Sequence, residues 1–332
     1  MKTKLLFAAL LCATNAYASC GSTFCAVDTH WDTQGLANDE GLRFDLRYSY
    51  ANANKLRYGN SAATLAAPNG TGRGELENRR TINRVLDLDA DYTISNNWNV
   101  AVDLPFIMRD HTHTLDYAGG SVAQQAKFNR VGDMRLMGKY KFDSDDHHAG
   151  SGMRAGLKLP TGAIDQTMTP QDPTAPPGTP YALDRSSQPG SGSTDILLGA
   201  YYHHDSDNAP WGWFASGQLQ SAISTRNDYR PGNGMNLDIG VHYAFSPSLT
   251  SLLQLNTQVK AHDSGLLANT THSGGHSLNL SPGLSYSVVP RTRLYGFVQL
   301  PIVQYVNGDP GNPDQRQLTA PWSYSIGISH SY

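Results

Sequence analysis

A strict alternation of apolar and polar residues most constrains how this 332-residue chain can fold. From Leu86 to Ile94 every second residue is apolar or aromatic, and Asp87, Asp89 and Asp91 lie between them. Side chains alternate between the two faces of a β-strand, so the three aspartates share one face. Carboxylates avoid hydrocarbon, whereas the opposite face is suited to it. The pattern therefore predicts a strand with a lipid-facing side and a polar inner side.

The same alternation recurs along most of the chain. It predicts an all-β fold, a transmembrane antiparallel up-and-down β-barrel of about 12 strands that covers residues 41–332. Ten or fourteen strands are the other even counts that keep both chain ends on one side. A secreted β-sandwich would also alternate, but its strands are usually shorter. The candidate strands are residues 42–50, 86–94, 98–106, 130–143, 150–161, 193–204, 211–224, 234–246, 248–262, 275–288, 291–305 and 320–332.

The connections between these strands alternate in length. Short turns of outer-membrane barrels lie in the periplasm and long loops lie outside the cell, so the alternation predicts which end is which. The loop 162–192 is rich in proline and glycine, which predicts an exposed, mobile extracellular segment. The long connections are 52–76, 109–129, 162–192, 224–233, 263–274 and 306–319, and the short ones are 95–97, 143–150, 204–211, 246–248 and 288–291.

The first residues have the form of an export signal. Lys2 and Lys4 precede an apolar run over residues 5–13 that is too short to cross a bilayer, and Ala16-Tyr17-Ala18 supplies a small-x-small cleavage pattern. We predict a signal peptide over residues 1–18, with the mature chain in the outer membrane of a Gram-negative bacterium and both termini in the periplasm. A lipoprotein modified at Cys20 is the alternative.

Two cysteines remain after the signal, in a short lead over residues 19–40. Cys20 and Cys25 are close enough in sequence to form a small disulfide loop in an oxidising compartment. A metal site is the other use of such a pair, but His30 is the only further ligand nearby. We predict a disulfide and a lead that is either periplasmic or inserted into the barrel lumen.

Composition agrees with a barrel and argues against nucleic-acid binding. Only 16% of the residues are charged and 39% are hydrophobic, with a mean hydropathy of −0.43 and a net charge of −3. The alternation turns charges of both signs inward, which fits either a polar conduit or a paired network that fills a narrow lumen. The lumen-lining candidates are Arg43, Asp45, Arg47, Asp87, Asp89, Asp91, Asp103, Arg135, Lys139, Arg154, Lys158 and Asp238.

Three candidate strands contain a Leu-Pro pair, with the prolines at Pro105, Pro160 and Pro301. Proline lacks the backbone donor of a strand ladder and is found mainly at strand ends, edges and bulges. We predict bulged or kinked wall positions at all three. For Pro160, which precedes the longest loop, a simple end of strand pairing is the alternative.

Histidines are the remaining candidates for chemistry. Five of them fall in or beside the predicted long loops, and we interpret them as solvated polar residues rather than metal ligands. No spacing resembles a phospholipase triad, and His262-Asp263 only weakly resembles the acid–histidine pairs of outer-membrane proteases. We predict no catalytic residue, no metal and no cofactor. The loop histidines are His111, His113, His262, His272 and His276.

Four segments together resemble one family of outer-membrane proteins. They are VGDMR at 131–135, GLKLPTG at 156–162, GSGSTD at 190–195 and QLPIVQYVNGD at 299–309, in the order found in the phenol degradation meta-pathway family of transporters. The resemblance implies a non-enzymatic channel or transporter for small hydrophobic or aromatic solutes. Outer-membrane lipid, lipopolysaccharide and the outer-membrane assembly machinery would be its partners. An enzymatic barrel and a barrel sleeve of a larger complex are the alternatives.

Overall fold

The computed structural model describes residues 27–31, 33–36, 41–268, 272–308 and 316–332. The predicted signal peptide and the predicted disulfide between Cys20 and Cys25 lie outside these residues. Among the described residues, no helix is long and apolar enough to cross a membrane. The strands are β1 (Gly41–Ala53), β2 (Lys55–Tyr58), β3 (Ser61–Ala62), β4 (Thr71–Thr93), β5 (Trp98–Ala118), β6 (Gly120–Val131), β7 (Arg135–Lys141), β8 (Ala149–Lys158), β9 (Thr167–Met168), β10 (Tyr181–Ala182), β11 (Thr194–Asp205), β12 (Trp211–Ser224), β13 (Gly234–Ala244), β14 (Leu249–Lys260), β15 (Gly275–Val289), β16 (Thr292–Val306), β17 (Gln317–Thr319) and β18 (Ser323–Ser331).

Twelve antiparallel strands close into a barrel. The order around the wall is β4, β1, β18, β16, β15, β14, β13, β12, β11, β8, β7 and β5, and β5 pairs again with β4. The first and last barrel strands meet directly, because β1 pairs with β18 from Arg43 opposite Ser331 to Ala51 opposite Ser323. Closure gives each of these twelve strands a neighbour on both sides. The predicted all-β barrel and its strand count are confirmed.

The outer face of the barrel is apolar. Leu88 and Ile326 are 43% and 55% exposed, whereas the inward Asp91 is only 2% exposed. Aromatic side chains cluster on this outer face near one end, where Tyr50 stacks on Tyr324 with ring centroids 5.4 Å apart. An apolar band with aromatic side chains at its rims is the surface that faces lipid in outer-membrane barrels.

The two ends of the barrel differ. Short turns join the strands at one end, which we call the turn end, and there Tyr332 N donates to Leu42 O at 2.8 Å. The longer connections all lie at the opposite end, the loop end. The chain from 41 onward therefore starts and finishes at the turn end, which follows from an even number of barrel strands.

The prediction of a long loop over 109–129 is wrong. β5 continues to Ala118 and turns into β6, so these residues form a two-stranded extension of the wall beyond the apolar band. Its sequence lacks the apolar alternation because the outward positions of the extension, such as Asp110 and Thr112, do not face lipid and are polar. The predicted strand 130–143 is likewise divided into β6 and β7, with residues 132–134 between them.

Candidate functional site: the barrel lumen and a break in its wall

Most of the predicted lumen charges are paired across neighbouring strands. Asp91 accepts from Arg43 Nη2 at 2.5 Å and from Lys139 Nζ at 2.7 Å, and Arg47 Nη2 lies 2.9 Å from Asp87 Oδ2. β1 and β4 are adjacent, and Lys139 reaches Asp91 from β7 across the intervening β5, so the inward side of this wall is a network of alternating charge. Such an arrangement fits the paired-network interpretation of the lumen at this level.

The other predicted lumen residues surround this network. Arg135 Nη1 bonds Asp103 Oδ2 at 2.9 Å, and Asp45 accepts from Tyr295 Oη at 2.6 Å. Asp89 of β4 lies directly opposite Asp45 of β1 on one side and Asp103 of β5 on the other. Arg154 is buried on β8. On the opposite wall, Asp238 accepts from Asn256 Nδ2 at 2.7 Å.

Residues of the lead lie among these inward side chains. Asp28 is 6% exposed, and its carboxylate accepts from Ser216 Oγ at 2.6 Å. Its backbone carbonyl accepts from Gln254 Nε2 at 3.0 Å, and Arg47 Nη1 donates to Val27 O at 3.2 Å. The lead thus contacts β1, β12 and β14 at once, which places it across the lumen.

Trp31 is the main apolar contact of the lead. It is 1% exposed, and its ring lies edge-on to Tyr295 at 4.9 Å and stacks near Phe297 at 6.4 Å. Arg293 covers the indole at 5.2 Å and donates to Leu36 O at 2.7 Å. Sequence reasoning did not identify Trp31, because an isolated tryptophan outside any strand pattern carries no sign of what it packs against.

The barrel wall is interrupted where β5 changes its neighbour. Asp103 of β5 pairs with Arg135 of β7, whereas Phe106 pairs with Val131 of β6. Residues 104 and 105 of β5 therefore lie opposite three residues, 132–134, of the facing chain. This is the geometry of a β-bulge, in which the ladder is locally disrupted and the strand bends.

Pro105 lies at this break. Its carbonyl oxygen accepts from Gly132 N at 2.8 Å, so its backbone faces the interrupted strand. In an antiparallel ladder a hydrogen-bonded residue uses both its N–H and its C=O toward the same neighbour. Proline has no N–H, so the return bond from Pro105 cannot form.

A buried polar cluster holds the long loop against the break. Lys158 Nζ lies 2.8 Å from Asp195 Oδ2 and 3.4 Å from Asp133 Oδ2. Asp133 accepts from Ser191 N at 2.8 Å and from Gly162 N at 3.0 Å. Three of the four segments that carry the family resemblance thus meet at one place in the wall.

The other two prolines differ from each other. Pro301 lies beside a register shift, because Leu278 pairs with Val303 and Asn279 pairs with Pro301, which leaves Ile302 as an extra residue. Pro160 lies two residues past the end of β8 and outside the ladder.

The loop over 162–192 folds toward the inward face of the wall. Arg109 Nη1 donates to Ser187 O, and Met168 packs with Ala126 and Phe128 in an apolar cluster beneath the loop. The prediction of an exposed loop does not account for these contacts, because the partners lie on β5 and β6 and leave no pattern in the sequence of the loop itself.

Three of the histidines that we interpreted as solvated are buried. His111 and His113 are 2% and 0% exposed on the inward face of β5, and His272 is 8% exposed, so that interpretation is wrong for all three. Burial lowers the pKa of His111 to about 4. Burial also acts to lower the pKa of His113, but the bond to Glu75 outweighs it and the pKa rises to about 9.

The acid of the pair His262-Asp263 has a structural role between loops. The Asp263 carboxylate accepts from Tyr229 Oη at 2.9 Å and from Gly232 N at 2.8 Å, and it lies 3.1 Å from Lys260 Nζ. These bonds hold the loop between β12 and β13 against the loop that follows β14.

Comparison with solved structures supports the fold. The COG4313 outer membrane channel from Pseudomonas putida F1 has a TM-score of 0.65 at 12% identity, covering 92% of this chain and 100% of that chain. The Ralstonia pickettii toluene transporter TbuX has a TM-score of 0.45 at 10% identity, covering 90% of this chain and 91% of the transporter. The TodX monoaromatic hydrocarbon channel deltaS2 mutant has a TM-score of 0.46 at 9% identity, with the same coverage.

The similarity to the first of these structures shows a shared barrel fold. The sequence matches no protein-family model, and no curated protein is significantly similar to it. The resemblance to the phenol degradation meta-pathway family therefore stays a prediction.

Proposed function

We propose that this protein is an outer-membrane channel for small solutes. The observation that carries the proposal is a closed barrel with an apolar outer band and an inward face of charged and amide side chains. The solved channel with the same fold is described as an outer membrane channel, which supports this class of function.

We further propose that the solutes are apolar or aromatic and that they leave through the wall at the break beside Pro105. The lead crosses the lumen and paired charges line it, so the lumen is a poor path for polar solutes and a worse path for apolar solutes. Lateral passage needs a place where ladder bonds are missing. The bulge at 132–134 and the proline opposite it supply such a place.

The double variant Pro105→Val plus Pro301→Val tests this route. Valine can donate to the ladder, and each restored bond stabilises the closed wall by about 1 kcal/mol, or roughly fivefold in the open population. We expect slower uptake of a monoaromatic solute into proteoliposomes or cells, with normal barrel folding. Uptake of a small charged solute serves as the reference.

Pro160→Val is the matched control, because Pro160 lies outside the ladder. We expect it to leave aromatic uptake unchanged. Aromatic uptake that stays at the wild-type rate in the folded double variant would argue against lateral passage and leave a plain axial channel.

We also propose that the loop end faces the cell exterior, as the long connections suggest. Thr179, exposed in the longest loop, and Asp145, exposed in a turn, are positions for single cysteines. In intact cells an impermeant maleimide should label Thr179→Cys and not Asp145→Cys. The reverse labelling pattern would invert the orientation and place both chain ends outside.

A further inference from the structure

A compact group of two histidines and two glutamates lies at the loop end, on the extension formed by β4 and β5. His113 Nδ1 is 2.7 Å from Glu75 Oε1 and 3.3 Å from His111 Nε2, and His111 Nε2 is 3.8 Å from Glu77 Oε1. One ligand atom from each residue lies within 4.8 Å of all the others. No ion pair network elsewhere in the described residues brings two imidazoles and two carboxylates this close.

The spacing of these four atoms is close to that of a coordination shell. Tetrahedral ligands at zinc bond lengths of 2.0–2.1 Å lie about 3.3 Å from one another. The observed separations bracket this value, so side-chain adjustments of less than about 1 Å would bring all four atoms onto one ion. Two imidazole nitrogens and two carboxylate oxygens also form a donor set that zinc accepts.

Both histidines are oriented by partners on their far side. His111 Nδ1 bonds Thr81 Oγ1 at 2.8 Å, and His113 Nε2 bonds Gln124 Oε1 at 2.8 Å. Each ring therefore directs one nitrogen to the cluster and commits the other to a hydrogen bond. Metal-binding histidines are held in this way, because the outer bond selects the tautomer and the ring orientation.

The backbone at the cluster is irregular. Leu76 pairs with Thr114, but the next pair joins Arg80 to Thr112, so residues 77–79 lie opposite a single residue of β5. A bulge of this kind redirects side chains that a regular strand would place elsewhere. Here it falls at Glu77, directly across from His113.

The inward-folded loop covers the cluster. Gln124 Nε2 donates to Pro170 O at 3.0 Å, and the Tyr181 ring lies edge-on to the His113 ring at 6.2 Å. The Tyr181 hydroxyl reaches Glu75 Oε2 at 3.5 Å. The loop therefore covers the histidine side of the cluster, while the Glu75 and Glu77 side chains stay 27% and 28% exposed.

We propose that Glu75, Glu77, His111 and His113 bind one divalent transition-metal ion, with zinc as the best match. The simpler interpretation is an ion pair between His113 and Glu75, with His111 and Glu77 nearby but without a role. That interpretation does not explain why the second imidazole nitrogen and the second carboxylate converge on the same point. The ion would join β4 to β5 and, through Gln124 and Tyr181, stabilise the loop that folds over the lumen.

The test is a metal titration of the refolded, chelator-treated full-length barrel in detergent. We expect one equivalent of Zn²⁺ with a Kd of about 1 µM or tighter, measured by competition with a chromophoric chelator. Co²⁺ should give the visible absorption of a four-coordinate site. His111→Gln and His113→Gln should each weaken Zn²⁺ binding by more than about 100-fold, since loss of an outer partner alone costs 10–100-fold.

Two further variants separate a built site from general affinity. Thr81→Val removes only the bond to His111 and should weaken binding about tenfold. His148→Gln removes an exposed histidine that lies 3.5 Å from Asp207 at the turn end and should leave binding unchanged. Should a cluster variant fail to fold, X-ray absorption of the zinc-loaded wild type still decides, because two histidine ligands are required. Absence of stoichiometric binding, or equal binding by wild type and His113→Gln, would overturn the proposal.

Discussion

Replacing Trp31 with alanine is expected to release the lead from the lumen and to raise the single-channel conductance of the refolded barrel. Truncating a fully buried tryptophan typically costs about 3–5 kcal/mol, because contacts are lost and a cavity remains. Trp31 packs on Tyr295 and Phe297, and Val27 is buried in the same apolar cluster. The remaining contacts of the described lead are hydrogen bonds worth about 1 kcal/mol each. Trp31 thus makes the largest single contribution to holding the lead in place.

Trp211→Ala is the matched control, since Trp211 is 46% exposed on the outer face and touches no part of the described lead. It should leave conductance unchanged. A cysteine placed at Thr33, which is fully buried in wild type, should become reactive in the Trp31 variant alone. Unaltered conductance together with an unreactive cysteine at Thr33 would show that the tryptophan does not hold the lead in the lumen.

Replacing Asp91 with alanine is expected to destabilise the whole barrel. The Asp91 and Lys139 side chains are each 3% exposed and that of Arg43 is 11% exposed, so the variant leaves two buried cations without their shared anion. Removing one partner of a buried pair costs about 3–5 kcal/mol, because the remaining charge keeps its desolvation penalty. Reversible urea unfolding in lipid vesicles or detergent measures the change in the free energy of unfolding.

Asp103→Ala is the control for this variant. Its partner Arg135 is 43% exposed, so the stranded cation stays hydrated and the loss should be at most about 1 kcal/mol. Adding Lys139→Met to Asp91→Ala should recover part of the loss, because it removes one of the two buried cations that lose the Asp91 carboxylate. A cost for Asp91→Ala no larger than that for Asp103→Ala would show that the charge network contributes little to stability.

The strands of this barrel could be predicted from the sequence because the signal is local. Side chains alternate between lipid and lumen along a strand, so Leu88 faces lipid and Asp91 faces the lumen. Lipid requires an apolar side chain and the lumen a polar one, so neighbouring residues differ in polarity. Short polar turns between such repeats then mark the turn end. The prediction was wrong at 109–129, where the wall extends past the apolar band and the lipid-imposed half of the pattern disappears.

The partners of the inward side chains depend on closure and register, which no local pattern records. Asp91 contacts Lys139 only because of the register in which β4, β5 and β7 pair. Lys158 contacts both Asp133 and Asp195 only because the long loop returns to the break in the wall. The sequence determined by itself that a polar-lined barrel forms. Only the tertiary structure decided that Trp31 crosses its lumen, since the aromatic surface that buries it exists only once β16 has taken its place in the closed wall.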